Sequence, residues 1–189
     1  MSRKKKIKKF NTLLDKYCSE KSLIKIYRSV TEGEANIYGI ILKRSASFLH
    51  LKENDDFNLE GEVIIKMDHF DSIRYNDYDR TSEKILIKEN QLNKSKLKRT
   101  KIDLNSWKSI FSNLMEKDIH VIVECENLED PTFTIGPIEK INNKSVEIRY
   151  YDPNGKLDKK LTKLKYKHIT LIKFNDNYSK TFRKYLKNP

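Results

Sequence analysis

The most constraining feature of this 189-residue sequence is an internal repeat. The stretch His69-Phe-Asp-Ser-Ile-Arg-Tyr-Asn-Asp77 returns ninety-nine residues later as His168-Ile-Thr-Leu-Ile-Lys-Phe-Asn-Asp176. In both copies a histidine is followed four residues later by isoleucine, then by a cation, an aromatic residue and Asn-Asp. This pattern predicts a buried strand that closes with an Asx-type turn. A repeat of this length predicts two copies of one structural module.

Each copy is predicted to begin with an amphipathic helix and to end with a short one. Apolar residues at the spacing i, i+3, i+4 and i+7 predict the leading helices. These residues are Phe10, Leu13, Leu14 and Tyr17 in the first copy and Trp107, Ile110, Phe111 and Leu114 in the second. Five strands are predicted between the helices, and in the first copy an acidic turn at residues 31–34 precedes the second strand. That strand carries a glycine in both copies, Gly39 and Gly136, where we expect a bulge or a bend.

The repeat divides the chain into two small domains joined by a basic linker. We place the first domain at residues 1–89, the linker at 90–103 and the second domain at 104–189. The linker is predicted to be solvated, because it is rich in cations and has few apolar residues. With only 37% hydrophobic residues in the chain, each domain needs a small core, and a closed barrel encloses such a core with few free edges. The predicted fold is mainly β, with two tandem five-stranded barrels.

The net charge of +12 makes polyanions the expected partners, either nucleic acid or an acidic protein surface. Solubility alone is the alternative interpretation of the same charge. No apolar run approaches the roughly 20 residues that cross a bilayer. No apolar segment of about 7–15 residues follows the cationic start, as a secretory signal would require. We therefore expect a cytoplasmic protein with no membrane partner.

Cations concentrate in residues 3–9, in the linker and in the last helix. We predict that eight of them bind nucleic acid, because lysine and arginine neutralise phosphates. These are Lys94, Lys96, Lys98, Arg99 and Lys101 in the linker and Lys180, Arg183 and Lys184 in the last helix. Tyr178 and Tyr185 lie among the latter. Because they are seven residues apart, they fit a packed helical stripe better than a base-stacking surface.

The sequence shows no constellation typical of an enzyme or a metal site. It has no nucleophile beside a base, no phosphate-binding glycine loop and no zinc-protease motif. Cys18 and Cys125 are the only cysteines and lack metal-binding spacing. In Glu124-Cys-Glu126 the two carboxylates should raise the pKa of the thiol and suppress its reactivity. We expect no catalytic residue, no metal and no cofactor.

The repeated histidines, His69 and His168, have two interpretations. A functional interpretation would make them paired ligands, general bases or stacking platforms. The structural interpretation, which we favour, is a histidine at the start of a strand that bonds to a neighbouring backbone group.

Several segments of the second copy carry a resemblance to a known family. They are Trp107 and Phe111 on the leading helix, the strand Val121-Ile-Val-Glu-Cys-Glu, the turn Asp152-Pro-Asn-Gly and the ending Ile169-Thr-Leu-Ile-Lys-Phe to Tyr185-Leu. With a leading helix and five short bent strands, the chain resembles bacterial tandem Sm-like β-barrel proteins over nearly its whole length. The resemblance implies RNA binding, which the best-known members perform, often as rings of barrels.

The RNA-binding signatures of that family are absent from this chain. The family's uridine pocket uses Asp-x-aromatic-Asn between strands two and three, and Arg-Gly or Lys-Gly between strands four and five. The first place holds Arg44-Ser-Ala-Ser and Asn142-Asn143 here, and the second holds Lys66-Met-Asp-His69 and Lys165-Tyr-Lys-His168. No family site residue carries over, and two linked copies imply a fixed pair in place of a ring.

The sequence therefore predicts a non-enzymatic protein that binds RNA or single-stranded nucleic acid. Binding would use basic surfaces and show little sequence preference. The alternative is a protein-interaction or scaffold module that pairs through barrel edges and has no nucleic-acid ligand.

Overall fold

The computed structural model describes residues 3–29 and 35–187, with side chains from residue 10 onward. The side chains of the basic residues 3–9 and the predicted acidic turn at 31–34 lie outside this description. The elements of the first half are α1 (Arg3–Glu20), β1 (Leu23–Arg28), β2 (Ala35–Arg44), β3 (Phe48–Asp55), β4 (Asn58–Lys66), β5 (Phe70–Arg74) and α2 (Asp77–Lys88). A 3-10 turn, Met67–His69, joins β4 to β5.

The second half repeats this order except in its second strand and in the place of its 3-10 turn. Its elements are α3 (Trp107–Glu116), β6 (Val121–Cys125), β7 (Thr132–Gly136), β8 (Ile138–Ile141), β9 (Ser145–Ile148), β10 (Thr162–Lys165), β11 (Leu171–Phe174) and α4 (Asn177–Phe182), followed by a 3-10 turn, Arg183–Tyr185. The predicted second strand is divided into β7 and β8 at Gly136, whose φ is +155°. Only glycine adopts this conformation readily, so the chain bends here as predicted.

The mainly β prediction is confirmed, but the described strands form no closed barrel. One antiparallel sheet has the order β5-β1-β2-β3-β4-β11-β6-β7, and a second has the order β10-β9-β8. In the larger sheet β4 pairs with β11 of the second half, with Leu171 opposite Ile65. Closed barrels are the wrong expectation for the described residues, because the β4 edge that would close the first half is used to bind the second.

Each half has its own hydrophobic core, and each core includes at least one side chain of the other half. Leu14, Ile24 and neighbouring side chains fill the core of the first half. The core of the second half includes Phe48 from β3 of the first. The ring of Phe48 meets that of Trp107 edge to face, with centroids 4.8 Å apart. Packing of this kind couples the stability of the halves.

The predicted linker is packed against the rest of the protein. Leu92 and Ile102 within it are buried. The backbone N–H and the hydroxyl of Thr100 donate hydrogen bonds of 2.9 and 2.7 Å to the carboxylate of Glu62. The prediction of a fully solvated linker is therefore wrong, because the linker's few apolar residues point inward.

Glu62 is the centre of a buried polar network at this junction. Its carboxylate lies 2.7 Å from Nε2 of the buried His50 and accepts a hydrogen bond of 3.2 Å from the amide of Asn175 in the second half. Burial by itself would raise the pKa of Glu62, but the hydrogen bonds from His50 and Thr100 outweigh it and lower the pKa to about 2. The network ties together both halves and the linker.

The repeated Asn-Asp pair ends a strand and starts a helix. Asn76 caps α2 and accepts a hydrogen bond from the Tyr78 N–H at 3.1 Å. In the second half the cap is Asp176, which accepts from the Ser179 N–H at 2.8 Å, while Asn175 adopts a positive φ of 57°. The cap has moved by one residue. The cap of the last helix, Asp176, therefore lies one hundred residues after Asn76, although the Asn-Asp pair itself repeats after ninety-nine.

Candidate nucleic-acid interface

A pocket on the second half is lined by four lysines and one tyrosine, and has a volume of about 710 Å³. Its lining residues are Asn143, Lys144, Ser145, Lys163, Lys165, Tyr166 and Lys167. We call it the lysine pocket. The four lysines are exposed, and their ammonium groups form no hydrogen bond or ion pair with any described residue. Their charge is available to a ligand.

Strand periodicity and a turn contact bring these lysines together. Leu164 of β10 is buried, and its neighbours Lys163 and Lys165 project to the opposite, exposed side. Residue 165 lies opposite Ser145 of β9. Directly beyond this pair the Tyr166 N–H donates to the carbonyl of Lys144 at 3.0 Å. The turn before β9 and the turn after β10 thus share one pocket.

Tyr166 forms a fixed wall of the lysine pocket. Its ring stacks on Phe111 of α3 at an interplanar angle of 13° and a centroid distance of 6.0 Å. Its hydroxyl donates to the carbonyl of Asn142 at 3.1 Å. Burial raises the pKa of Tyr166 to about 12, so the phenol stays neutral at physiological pH. It therefore adds no negative charge to the pocket.

Two of the predicted linker cations line a second basic pocket of about 350 Å³. Arg99 and Lys101 meet Lys43 of β2 there, beside Asn113 of α3. Part of this charge has a structural role, because Lys43 donates to the carbonyl of Ile102 at 2.9 Å and Arg99 donates to the carbonyl of Leu42 at 3.3 Å. This pocket lies at the junction of the halves.

The remaining predicted cations are scattered. Lys94 forms a 2.6 Å ion pair with Glu83 and is held in the fold, whereas Lys96 and Lys98 are exposed. Arg183 pairs with Asp118. With Lys180, Arg183 lines a small cavity of about 40 Å³ beside His120, and Lys184 is exposed nearby. The structure places none of the eight predicted residues in the lysine pocket.

The sequence did contain a signal for the lysine pocket. Lys163, Lys165 and Lys167 occupy alternate positions through β10 and the following turn, so a strand prediction places them on one side. Runs of adjacent cations are easier to notice, but they lie in irregular or helical segments where the charges diverge. Lys144 could not be assigned to this group from spacing, because it reaches the pocket through sheet pairing.

Tyr178 and Tyr185 are not packed as the helical spacing suggested. Tyr178 is 49% exposed and Tyr185 is 69% exposed. The chain leaves regular α-helix at Phe182 and continues as a 3-10 turn, Arg183–Tyr185. A seven-residue spacing therefore does not place the two rings on one buried stripe.

The repeated histidines and Cys125 have ordinary environments. His69 meets the side-chain amide of Asn127 at 3.2 Å, and burial lowers its pKa. The backbone N–H of His168 bonds to the carbonyl of Lys165. Burial, and secondarily Glu126, raises the pKa of Cys125 to about 11. The direction of the shift is the predicted one, but burial and not the pair of carboxylates is its main cause. No three His, Cys, Asp or Glu side chains in the described part of the chain are placed to hold a metal ion.

None of the helices in the described ranges is long and apolar enough to cross a membrane. Comparison with protein-family models, with curated proteins and with solved structures found no match.

Proposed function

We propose that the protein binds RNA or another single-stranded nucleic acid, without catalysing a reaction on it. The lysine pocket carries this proposal, because four lysines whose ammonium groups have no partner among the described residues line one cavity beside an aromatic ring. A cluster of like charges with no acidic partner is costly unless solvent or an anion neutralises it. A phosphate backbone supplies closely spaced negative charges for such a cluster.

The chemistry of the pocket favours binding with little sequence preference. Lysine presents a flexible point charge and not the planar fork with which arginine reads guanine. Contacts to phosphate fix a strand in place but carry no base information. The affinity would therefore come from release of counterions and fall steeply with salt.

We further propose that each half is an Sm-like unit. The strand order β5-β1-β2-β3-β4 of the first half supports this proposal, as does the leading helix of each half. The lysine pocket lies between the turn that follows strand two and the turn that follows strand four of the second half. The resemblance places the family's RNA pocket between the same turns, although its signature residues are absent.

A protein-interaction module is the second candidate function. The pairing of β4 with β11 demonstrates that edges of the two halves can join. The strands β5 and β10 end their sheets, so one side of each has no strand partner among the described residues. The exposed Lys163 and Lys165 on β10 argue against unrestricted pairing there, because edge lysines discourage strand addition.

Binding of labelled random-sequence RNA at about 50 and about 200 mM salt separates the two candidates. Changing Lys144, Lys163, Lys165 and Lys167 to glutamine keeps the side chains polar and removes four charges. If each lysine contacts one phosphate, the slope of log K against log salt should become shallower by about 2.8, from about 0.7 per contact. The result expected is weaker binding with an unchanged fold.

A matched control removes the same charge elsewhere. Lys84, Lys88, Lys117 and Lys140 are exposed and lie outside the lysine pocket. Their replacement by glutamine should leave most of the affinity intact. Equal losses in both variants would assign binding to net charge alone. An absence of RNA binding by the unaltered protein at low salt would reject the proposal and favour the interaction module.

A further inference from the structure

Three aromatic rings form a continuous stack that ends at the surface of the second half. Tyr151, only 1% exposed, stacks on Phe182 with centroids 5.6 Å apart and an interplanar angle of 11°. Phe182 also stacks on Tyr178, with centroids 4.4 Å apart and an angle of 27°. Tyr178 is 49% exposed. We call this arrangement the aromatic ladder.

The outer ring of the ladder is held in place by the elements beneath it. Tyr178 and Phe182 are four residues apart on α4 and therefore lie on one face of the helix. Asp176 caps this helix, through the Ser179 N–H at 2.8 Å. At the buried end, Tyr151 pairs with Leu157 in an isolated β-bridge, and its ring lies 6.2 Å from that of His120. A ring fixed in this way loses little entropy when another flat ring stacks on it.

The described residues of the first half contain no such ladder. Tyr78 is the repeat equivalent of Tyr178 and is 76% exposed, but Ser82 stands where the second half has Phe182. No ring contact joins Tyr78 to another aromatic side chain of the described residues. The tyrosine is therefore exposed in both halves, and the halves differ in the residue beneath it, which is Ser82 in the first and Phe182 in the second.

We infer that the exposed end of the aromatic ladder at Tyr178 is a base-stacking subsite of the nucleic-acid interface. This inference rests on the proposed function. Every nucleobase has a flat π face, and stacking on an aromatic side chain tolerates any sequence. Lys180 and Lys184 lie on the same terminal segment and are exposed, and their ammonium groups form no hydrogen bond or ion pair within the described chain. Their charges would neutralise phosphates that flank a stacked base.

The charge of this segment favours a nucleobase over an apolar protein side chain as the occupant. A hydrophobic partner would desolvate Lys180 and Lys184 without replacing their lost hydration. A nucleotide brings a flat ring and an anion together. The subsite would thus add base stacking to a backbone contact made elsewhere on the protein.

Binding of an oligouridylate of about 12 nucleotides, a length within the range of single-stranded sites, tests the subsite. Inorganic polyphosphate serves as a probe with charges but no bases. Tyr178→Ala should weaken oligouridylate binding by about 5- to 150-fold, the range that loss of one stacked base produces. It should leave polyphosphate binding unchanged. Tyr178→Phe should bind as the unaltered protein does, and Tyr78→Ala is the matched control.

A fluorescent variant provides a second readout. The chain has one tryptophan, Trp107, which is only 4% exposed. In Tyr178→Trp the introduced indole should be quenched by oligouridylate and not by polyphosphate. If the unaltered protein binds oligouridylate but Tyr178→Ala binds it equally well, the subsite is rejected and the proposed function stands. Equal losses for both probes would also reject stacking. If the unaltered protein does not bind oligouridylate at low salt, the proposed function itself fails.

Discussion

The same turn is built differently in the two halves. In the first half, Lys66 leads into a turn where Asp68 lies 3.7 Å from its ammonium group and Met67 packs against the hydrophobic core. Lys66, Met67 and Asp68 correspond to Lys165, Tyr166 and Lys167 in the second half. A second cation, Lys167, stands in place of the acid, and the aromatic wall of the lysine pocket, Tyr166, stands in place of the packed methionine.

The neighbouring turn shows the same contrast. Arg44, before β3, forms a 2.6 Å ion pair with Asp15 of α1. The corresponding turn of the second half, before β9, contains Asn142, Asn143 and Lys144, whose ammonium group is unpaired. The first half therefore neutralises its turn cations internally, whereas the second half leaves them free. The repeat thus predicts the backbone of both halves, but only the second half has the proposed binding surface.

The largest effects should come from the two strand glycines, which both halves require. A Cβ at Gly136 would lie 2.0 Å from the carbonyl oxygen of Arg149, and at Gly39 it would lie 2.3 Å from that of Lys52. Gly136 also has a positive φ. We expect Gly136→Val to cost about 4 kcal/mol or more, because a backbone clash adds to backbone strain. Gly39→Val should cost about 3 kcal/mol.

Urea denaturation of both variants, with Thr132→Val as a control on β7, measures these costs. Thr132 is half-buried, and valine is close to threonine in size. A Gly136→Val protein with unaltered stability would show that the second strand does not bend at this residue.

Trp107→Ala should have the next largest effect. Trp107 is 4% exposed, whereas Phe10, its counterpart on α1, is only half-buried. Loss of a buried tryptophan costs about 3–5 kcal/mol, so thermal stability should fall strongly. Phe10→Ala should cost less, because the ring is already partly hydrated. If the two variants melt at the same temperature, the second core does not depend on the contact of Trp107 with Phe48.

Acid should weaken the junction between the halves through Glu62. Its pKa of about 2 in the folded protein lies below the usual carboxyl value of 4.5. This depression contributes stability that is present above about pH 4.5 and is lost as the pH falls toward 2. The full contribution is about 3 kcal/mol. Chemical denaturation at both ends of that range should show the loss in the unaltered protein and a smaller pH dependence in Glu62→Gln. Identical acid profiles would exclude Glu62 as the group responsible.

The sequence predicted the elements well because helix and strand periodicities are local. The stripe of Trp107 and Phe111 and the repeated Asn-Asp pair depend on neighbours within a few residues. The pairing of Leu171 with Ile65 could not be predicted in this way, because it joins strands from different halves. Inward packing of Leu92 and Ile102 was missed because isolated apolar residues give no periodic signal.

The candidate site was predicted less well for a related reason. Adjacent linker cations suggested a charged surface, but Lys94 is paired and Arg99 bonds to a backbone carbonyl. Lys144 and Lys167 line the same pocket only because the turn before β9 lies beside the turn after β10. A run of charge in sequence therefore does not show which cations are unpaired and lie together in the folded protein.

The smallest effect should come from exchanging the charge of the two turns, and it tests the comparison most directly. Lys167→Asp gives the second half the acid of the first half and lowers the net charge from +12 to +10. Asp68→Lys gives the first half the cation of the second and raises the net charge to +14. The new aspartate should remove one phosphate contact and occupy Lys165, as Asp68 occupies Lys66. The salt slope for RNA binding should therefore fall by about 1.4, against about 0.7 for Lys167→Gln.

Asp68→Lys adds one cation and releases Lys66, but it should change the slope by less than about 1.4, because Arg44 in the neighbouring turn stays paired with Asp15 and no cluster of four unpaired lysines results. Fluorescence anisotropy with labelled RNA over a series of salt concentrations measures all three variants. If Asp68→Lys strengthens binding as much as Lys167→Asp weakens it, RNA responds to net charge and not to the place of the charge. The difference between the halves would then have no bearing on binding. A clear asymmetry, with the larger effect in the second half, assigns the contacts to the lysine pocket.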